Sequence, residues 1–402
     1  MSSNWAAAGI GVIALGIFVG SAPIVLIGGG MILIRVIAER WPKRVLESLT
    51  YERAIHPHKT VAGDDVELRM ELWNRTRLPI AWAVAQDAIG PHLRLKPAQV
   101  EATISGPMRP FERVTRKMRM TALKRGVHEV GPVRLGVAEH FGTKLPKLDR
   151  PAAPSYLIAK PLMAPVVGQS PQSAPLAQVR ARRSLYTDPT LFAGVRPYQA
   201  GDPLRSIHWR ASAREGRPQT KRFEPALSRQ QVIVLDVQTV EGPYWMLDYD
   251  EDLFEELCVA ALSLARLLIS KDASVGLAAA GFNYTTQRYV YLPPRADRAQ
   301  IERIGEVLAR MTSESSAPLV SLLTWLPRRV PKGTTITILS GRSTLTNASV
   351  VRRLEQSGFP VHFLLLRGGG AAIADARQVG MSAMPASVES AKGRPTAVVI
   401  NG

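Results

Sequence analysis

The chain has 402 residues, 46% of them hydrophobic and 21% charged, which is enough to bury the cores of two or more domains and excludes a disordered protein. Lys and Arg (51) exceed Asp and Glu (33) by a formal +18, so an anionic neighbour such as lipid headgroups, nucleic acid or an acidic protein is favoured. The single cysteine, Cys258, excludes an intrachain disulfide framework and a cysteine-rich zinc site.

An uncharged run opens the chain. No residue from Trp5 to Ile34 carries a charge, and about 20 helical residues suffice to cross a bilayer core. We predict a transmembrane anchor within residues 1–44, formed either by one long tilted span or by a helical hairpin that turns at "GSAPI". A basic flank follows, and it predicts a cell-membrane location with the bulk of the chain on the cytoplasmic side and the flank at anionic lipid. The flank comprises Arg35, Arg40, Lys43 and Arg44.

Residues 45–160 show the pattern of short strands. In "DDVELRMELWNRTRLP" apolar and charged residues alternate before a polar turn, and "RVTRKMRMTALKRGVHEVGPVRLGV" repeats short strand signals with Gly and Pro between them. The alternating apolar residues of the first run are Val66, Leu68, Met70 and Leu72. This pattern predicts a small β-sandwich-like domain.

Residues 161–226 begin as a linker rich in Pro, Ser and Gln and end in the segment "GVRPYQAGDPLRSIHWRASAREG". Residues 227–402 then alternate strands and helices. The run "QVIVLDV" at 231–237 predicts a buried strand, and the helix that follows places Leu253, Leu257, Ala261, Leu264 and Leu268 on one face. The predicted class is therefore a doubly wound α/β domain after a β domain, with a Gly- and Ala-rich tail that ends in a possible edge strand, "PTAVVI".

The charged and aromatic segment has two interpretations. As an interdomain clasp, its guanidinium groups pair with Asp202 and stack on aromatic rings, and a turn forms at the glycine and proline beside Asp202. As a partner-docking surface, the same side chains face another protein. Its residues are Arg196, Tyr198, Gly201, Asp202, Pro203, Arg205, His208, Trp209, Arg210 and Arg214. We assign no catalytic residue, because no nucleophile, base and orienting group occur at a recognisable spacing.

These residues, followed by a strand that ends in Asp236, resemble the signature of the bacterial domain-of-unknown-function 58 family. The two apolar N-terminal segments, the β domain and "KRGVHEVGPVRLG" at 124–136 are also similar to that family. The resemblance implies a membrane-anchored protein with a von Willebrand factor A-like domain that is associated with a MoxR-type AAA+ ATPase.

The von Willebrand factor A resemblance also implies a divalent cation bound by an Asp-x-Ser-x-Ser loop. Here Asp236 is followed by Gln238 and Val240 in place of the two serines, and the later strand ends in Ser340-Gly341. Thr239 would contribute an oxygen only from a shifted register. Since Mg²⁺ requires several oxygen ligands, we expect no Mg²⁺ and no cofactor, with Asp236 and Thr239 as vestiges of a site.

The sequence therefore predicts a membrane-anchored cytoplasmic interaction or scaffold protein, not an enzyme, that acts with a MoxR-type AAA+ ATPase in the assembly or maturation of other proteins. The alternative is a membrane-tethered, metal-dependent hydrolase or maturation enzyme that uses Asp236, Asp202 or His208. We expect no nucleic-acid partner, because the chain has no reader motif and no ladder of aromatic and basic residues.

Overall fold

The computed structural model describes residues 3–97, 101–137, 147–149, 153–168, 187–199, 202–225, 230–245, 248–283, 288–342, 347–367, 370–378, 381–391 and 393–401. The chain divides into two units, residues 1–159 and 160–402. In the described residues, the first unit contains two helices and two antiparallel sheets, and the second is a mixed α/β unit.

Two helices begin the first unit, α1 (Ser3–Phe18) and α2 (Ala22–Ser48). The chain turns between them in the "GSAPI" segment, where Gly20 has a φ of +70° and a proline lies in the first turn of α2. The two helices pack closely at glycines: a Cβ added to Gly16 would lie 2.7 Å from the Val25 nitrogen. The apolar run is therefore bent into two antiparallel helices.

The prediction of a transmembrane segment is wrong, because the described helices do not have the required length and apolar character. Among the described residues, no helix combines the length and the apolar character that a membrane crossing requires. Helix α1 has 16 residues and rises about 24 Å, less than the roughly 30 Å of a bilayer core. Helix α2 is longer, but charged residues begin at Arg35 and recur to its end. The break between the helices falls at "GSAPI", where the hairpin alternative placed it, and it leaves each apolar helix too short or too charged to meet the criterion.

The strands of the first unit form two antiparallel sheets with a shared apolar core. One sheet has the order β1-β3-β7-β5, and the other has the order β2-β10-β8-β4-β6 with β9 beside β8. The strands are β1 (Leu49–His56), β2 (Lys59–Val61), β3 (Asp65–Asn74), β4 (Ile80–Ile89), β5 (Leu93–Lys96), β6 (Glu101–Met108), β7 (Arg113–Ala122), β8 (Gly126–Val137), β9 (Lys147–Asp149) and β10 (Ser155–Lys160).

The alternation noted in the sequence explains which side chains reach this core. Val66, Leu68, Met70 and Leu72 of β3 are all at most 2% exposed, because every second residue of a strand faces the same side. One carboxylate is buried with them: Asp87 of β4 accepts hydrogen bonds from the Tyr51 hydroxyl and the Arg53 guanidinium of β1. This cluster links the two sheets through polar side chains.

The second unit is built on an eight-stranded mixed sheet of order β11-β22-β21-β20-β19-β14-β15-β17. Its central strands are parallel, while the β15–β17 and β21–β22 pairs are antiparallel. The strands are β11 (Val166–Gly168), β14 (Gln230–Leu235), β15 (Ser274–Ala279), β17 (Val290–Arg295), β19 (Thr335–Ser340), β20 (Val361–Leu366), β21 (Ala383–Ala391) and β22 (Arg394–Ile400). The "PTAVVI" strand is not at the edge, because β11 pairs with it.

Helices cover both faces of this sheet. Alternate residues of β14 enter different cores: Ile233 and Leu235 pack with one helical layer, whereas Val232 and Val234 pack with the other. The first layer contains α4 (Glu251–Ser270) and α5 (Ala299–Arg310), and the second contains α6 (Leu319–Trp325), α7 (Ala348–Gln356) and α8 (Gly370–Gln378). The near-continuous apolar runs of the central strands follow from this two-sided burial.

Two small ribbons complete the second unit. β12 (Thr187–Pro197) pairs with β13 (Gln219–Pro225), and β16 (Gly281–Asn283) pairs with β18 (Met311–Ser315). Between β12 and β13 lie a 3-10 turn at Leu204–Ser206 and α3 (Trp209–Glu215). The charged and aromatic segment, which has no clean period in the sequence, is thus a succession of strand, turn and short helix. Most of the predicted linker, residues 169–186, lies outside the described residues.

Candidate functional site

Asp202 ties the loop after β12 to β13, and its described partners all lie between Arg196 and Thr220, so the interdomain role of a clasp stays a prediction. Its Oδ1 accepts a hydrogen bond from Arg196 Nη2 at 2.7 Å. Its Oδ2 accepts from the Gln199 backbone N–H at 3.1 Å and from Thr220 Oγ1 at 3.2 Å. The Arg196 hydrogen bond, followed by that from Gln199, lowers the pKa of Asp202 from its ordinary value. Asp202 therefore fixes the turn as an anion at neutral pH.

His208 positions the short helix α3. Its Nδ1 accepts a hydrogen bond from the Ala211 N–H at 3.1 Å, so its side chain caps the helix, and this nitrogen carries no proton. The His208 N–H donates to the Gln219 carbonyl at 2.7 Å. Ser212 Oγ donates to the His208 carbonyl at 3.1 Å and accepts from the Gln219 N–H at 2.9 Å. These contacts fasten α3 to β13.

Five other side chains of the segment form an exposed surface. Leu204 is 70% exposed and Trp209 is 73% exposed. Arg205, Arg210 and Arg214 are exposed too, and none of the three forms an ion pair with a residue that the structure describes. We call Leu204, Arg205, Trp209, Arg210 and Arg214 the outer surface of the segment. Of the predicted arginine partners of Asp202, only Arg196 contacts it.

The turn at the Gly201-Asp202-Pro203 sequence is described only in part. The Asp202 N–H donates to the Gln199 carbonyl at 3.0 Å, and Pro203 precedes the 3-10 turn. Gly201 lies outside the described residues. Tyr198 is half-buried and its N–H donates to the Pro218 carbonyl at 3.0 Å, so its backbone continues the ribbon. Among the described contacts no guanidinium lies over the rings of Tyr198 or Trp209, so the predicted stacking is absent from that part of the chain.

The second candidate site lies at the carboxyl ends of β14 and β19. Asp236 is 3% exposed and its Oδ2 accepts from Ser340 Oγ at 2.8 Å and from Arg342 Nε at 3.2 Å. The Gln238 N–H donates to the same carboxylate. Burial raises the pKa of Asp236, while Arg342 and the hydrogen bonds oppose that shift. The positive charge beside this buried carboxylate is a guanidinium.

The two side chains named as vestigial metal ligands, Asp236 and Thr239, have different hydrogen-bond partners. Thr239 Oγ1 accepts from the Asp250 N–H at 2.8 Å, so it links the loop to the start of α4 and not to Asp236. Within the described ranges, no group of three or more His, Cys, Asp or Glu side chains has a metal-binding arrangement. Asp236 would have to give up the Arg342 pair before it bound a cation.

The sequence did not indicate two residues of these sites, Arg342 and Thr220. Arg342 is two residues beyond Ser340, and Thr220 lies 18 residues beyond Asp202; neither separation is a recognised motif. Both partners are brought in by neighbouring strands, β19 beside β14 and β13 beside β12. Strand order is a property of the tertiary structure, so inspection of the sequence could not have found them.

The second unit is a mixed α/β unit that includes the β12–β13 ribbon and the charged and aromatic segment. Residues 194–354 match the family model described as "Protein of unknown function DUF58". A curated relative, "Uncharacterized protein YeaD" of Bacillus subtilis (strain 168), is 32% identical over 89 residues, which cover 22% of this chain and 20% of the relative. Both matches support the DUF58 family. This chain therefore matches about a fifth of the length of that relative.

Two solved structures illustrate the remote similarity that this chain shares with other proteins. The native alpha-2-macroglobulin of Escherichia coli, from domain MG7 to the C-terminus, is 15% identical with a TM-score of 0.23, over 30% of this chain and 19% of that chain. The seventh ScaB type I cohesin of Pseudobacteroides cellulosolvens is 12% identical with a TM-score of 0.19, over 30% and 97% of the two chains. These similarities are too low to bear on function.

Proposed function

We propose that the chain is an interaction or scaffold protein whose second unit, like a von Willebrand factor A domain, presents a docking surface to another protein. The outer surface of the segment is that docking surface. The observation that carries the proposal is the exposure of Leu204 and Trp209 on a segment whose backbone is held by Asp202 and His208. A fixed backbone lowers the conformational entropy lost when exposed side chains become ordered on binding.

The chemistry of the surface indicates its partner. Trp and Arg are enriched among the residues that dominate binding energy at protein interfaces. The three exposed arginines of this surface have no ion partner among the described residues, so they favour a partner protein with acidic side chains. Trp209 and Leu204 are apolar and exposed, so they favour an apolar residue at the centre of the partner's binding surface. A MoxR-type AAA+ ATPase is the partner that the family resemblance suggests. In this proposal the clasp and the docking surface coexist, because Arg196 and Asp202 pair with each other whereas Arg205, Arg210 and Arg214 are exposed without such a pair in the described part of the chain.

The experiment is direct binding of the purified full-length chain to a purified MoxR-type ATPase of the same organism, with and without ATP. Trp209→Ala and Arg205→Ala are expected to weaken binding about ten-fold or more each, as for central interface residues. Phe282→Ala is the matched control, because Phe282 is an exposed aromatic residue elsewhere in the same unit, 48% exposed. Asp202→Asn tests the clasp through the thermal stability of the unit.

The outcomes distinguish the two roles. Loss of binding in folded Trp209→Ala and Arg205→Ala protein, with Phe282→Ala unchanged, supports docking. If all variants bind the ATPase equally, the segment is not a docking surface and the clasp is its remaining role. Failure of wild-type protein to bind overturns the ATPase as partner.

A further inference from the structure

A second surface of the α/β unit has the opposite character. A crevice opens between the loop that follows β14 and the end of β18, and its wall includes the rings of Tyr244 and Tyr249. It lies at the carboxyl end of β14, where the strand order reverses, with β15 on one side and β19 on the other. Open α/β sheets bind ligands outside the carboxyl ends of their strands at such a reversal.

The loop that forms the crevice wall is fixed at both ends. Gln238 Nε2 donates to the Gly242 carbonyl at 2.5 Å and to the Val240 carbonyl at 3.2 Å, which closes the start of the loop. Thr239 Oγ1 accepts from the Asp250 N–H at 2.8 Å, which ties the loop to the first turn of α4. These contacts hold the described start of the loop and join it to α4.

Aromatic rings are exposed along this loop. Trp245 is 70% exposed, and its ring meets the Tyr244 ring edge to face with centroids 5.1 Å apart. Tyr249 is 43% exposed. The faces of Tyr and Trp rings attract cations, and neighbouring exposed aromatic residues are typical of protein-binding surfaces.

The charges of the crevice wall favour a cation as well. Glu241, Asp248 and Glu314 line it and are exposed, and none of them forms an ion pair with a described residue. The neighbouring carboxylates at the same edge are paired: Asp236 with Arg342, and Asp250 with Arg367. The chain as a whole has a formal charge of +18, so a local group of unpaired carboxylates contrasts with the rest of the molecule. Carboxylates beside aromatic rings attract a positively charged group from another molecule.

We propose that this aromatic crevice binds a basic segment of a partner protein, with an arginine or lysine side chain against its tyrosine rings and carboxylates. The inference is independent of the proposed docking surface, which lies on another segment and has the opposite charge. The chain would then present two separate recognition surfaces of opposite sign on one unit.

The test uses the full-length chain and a fluorescein-labelled synthetic peptide of alternating arginine and glycine, followed by fluorescence anisotropy at physiological ionic strength. A double variant, Glu241→Gln with Glu314→Gln, is expected to weaken binding about five-fold or more, and Tyr249→Ala about two- to five-fold. Glu389→Gln is the matched control, since Glu389 is an exposed carboxylate on β21, away from the crevice. It should leave the affinity unchanged.

Several results would overturn the proposal. If Glu389→Gln lost as much affinity for the peptide as the double variant, general charge attraction would explain the binding. If all variants bound the peptide equally, the crevice would not be the binding site. Lack of binding by wild-type protein has the same meaning. If sedimentation shows that wild-type self-association disappears in the double variant while the peptide is ignored, the crevice binds a second copy and not a basic partner segment. Unchanged thermal melting of each variant ensures that these results report binding.

Discussion

The Arg342 guanidinium pairs with the buried Asp236 carboxylate, with Nε 3.2 Å from Oδ2, at the carboxyl ends of β19 and β14. The side chains are 12% and 3% exposed, so the pair is shielded from solvent. Loss of one partner from a buried ion pair leaves an uncompensated buried charge, whereas loss of both partners leaves no buried charge. We therefore compare a variant that lacks one partner of the pair with a variant that lacks both.

Arg342→Met should lower the free energy of unfolding of the second unit by about 3 kcal/mol at neutral pH. The double variant Asp236→Asn with Arg342→Met should be more stable than the single one. Burial already raises the pKa of Asp236, and loss of the guanidinium raises it further, so the defect of Arg342→Met should shrink as the pH falls and the carboxyl becomes neutral. Urea denaturation between pH 5 and pH 8 measures this. A double variant that is less stable than the single one would contradict the prediction.

A second prediction concerns the acid stability of the clasp. The pKa of Asp202 is lowered chiefly by its hydrogen bond from Arg196, so the stabilisation is present above the ordinary carboxyl pKa and is lost as the pH falls through the lowered value. Asp202→Asn should reduce the thermal midpoint at neutral pH, and this difference from wild type should vanish in acid. Thermal melts followed by circular dichroism across pH 2 to pH 7 test it. A difference that grows in acid would show that the anionic form of Asp202 is not what stabilises the turn.

A third prediction separates a structural from a chemical role of His208. His208→Ala removes the cap of α3 and should cost about 1 kcal/mol of local stability, whereas His208→Asn should retain most of it, because Asn is a good N-cap residue. Hydrogen exchange at the Ala211 amide reports the cap directly. If both variants exchange as slowly as wild type, the Nδ1 contact contributes nothing measurable.

A fourth prediction addresses the polar cluster between the two sheets. The Arg53 and Asp87 side chains are 3% and 0% exposed, and burial raises the pKa of Asp87 in spite of its two partners. Arg53→Met should cost the first unit roughly 3–5 kcal/mol. Lys96→Met is the matched control, since the Lys96–Asp65 pair is half exposed and solvent screens it, so its loss should destabilise the unit far less. Similar losses in both variants would show that burial is not what gives the Arg53 pair its importance.

The sequence predicted the β-rich segment and the α/β segment from periodicity. Leu253, Leu257, Ala261, Leu264 and Leu268 all face the core on α4, as their spacing requires. The charged segment between β12 and β13 was harder to interpret, because it consists of short elements that are stabilised by side-chain contacts and have no period of their own. Sequence inspection identified Asp202 as the centre of that segment but assigned it too many arginine partners.

The N-terminal apolar run shows the opposite difficulty. Its composition alone predicted a membrane crossing, but the described helices do not meet the requirements of length and apolarity. The turn at "GSAPI" was one of the two alternatives that the sequence offered, and it is the one observed, with Gly20 at a positive φ and a proline in the first turn of α2. The membrane crossing was inferred from composition, which reports how apolar a run is but not the length of the helices within it.

The sequence by itself determined the order of the elements, the buried faces of strands and helices, and the presence of an Asp202-centred motif, because these depend on local periodicity and composition. The tertiary structure alone decided that Arg196 and not its neighbours pairs with Asp202, that Arg342 meets Asp236, and that tyrosines and carboxylates surround one crevice. The Arg196–Asp202 pair depends on the turn that follows β12. The Asp236–Arg342 contact and the crevice join segments that are neighbours in the fold but far apart in the chain, and sheet order is set by the packing of the whole unit.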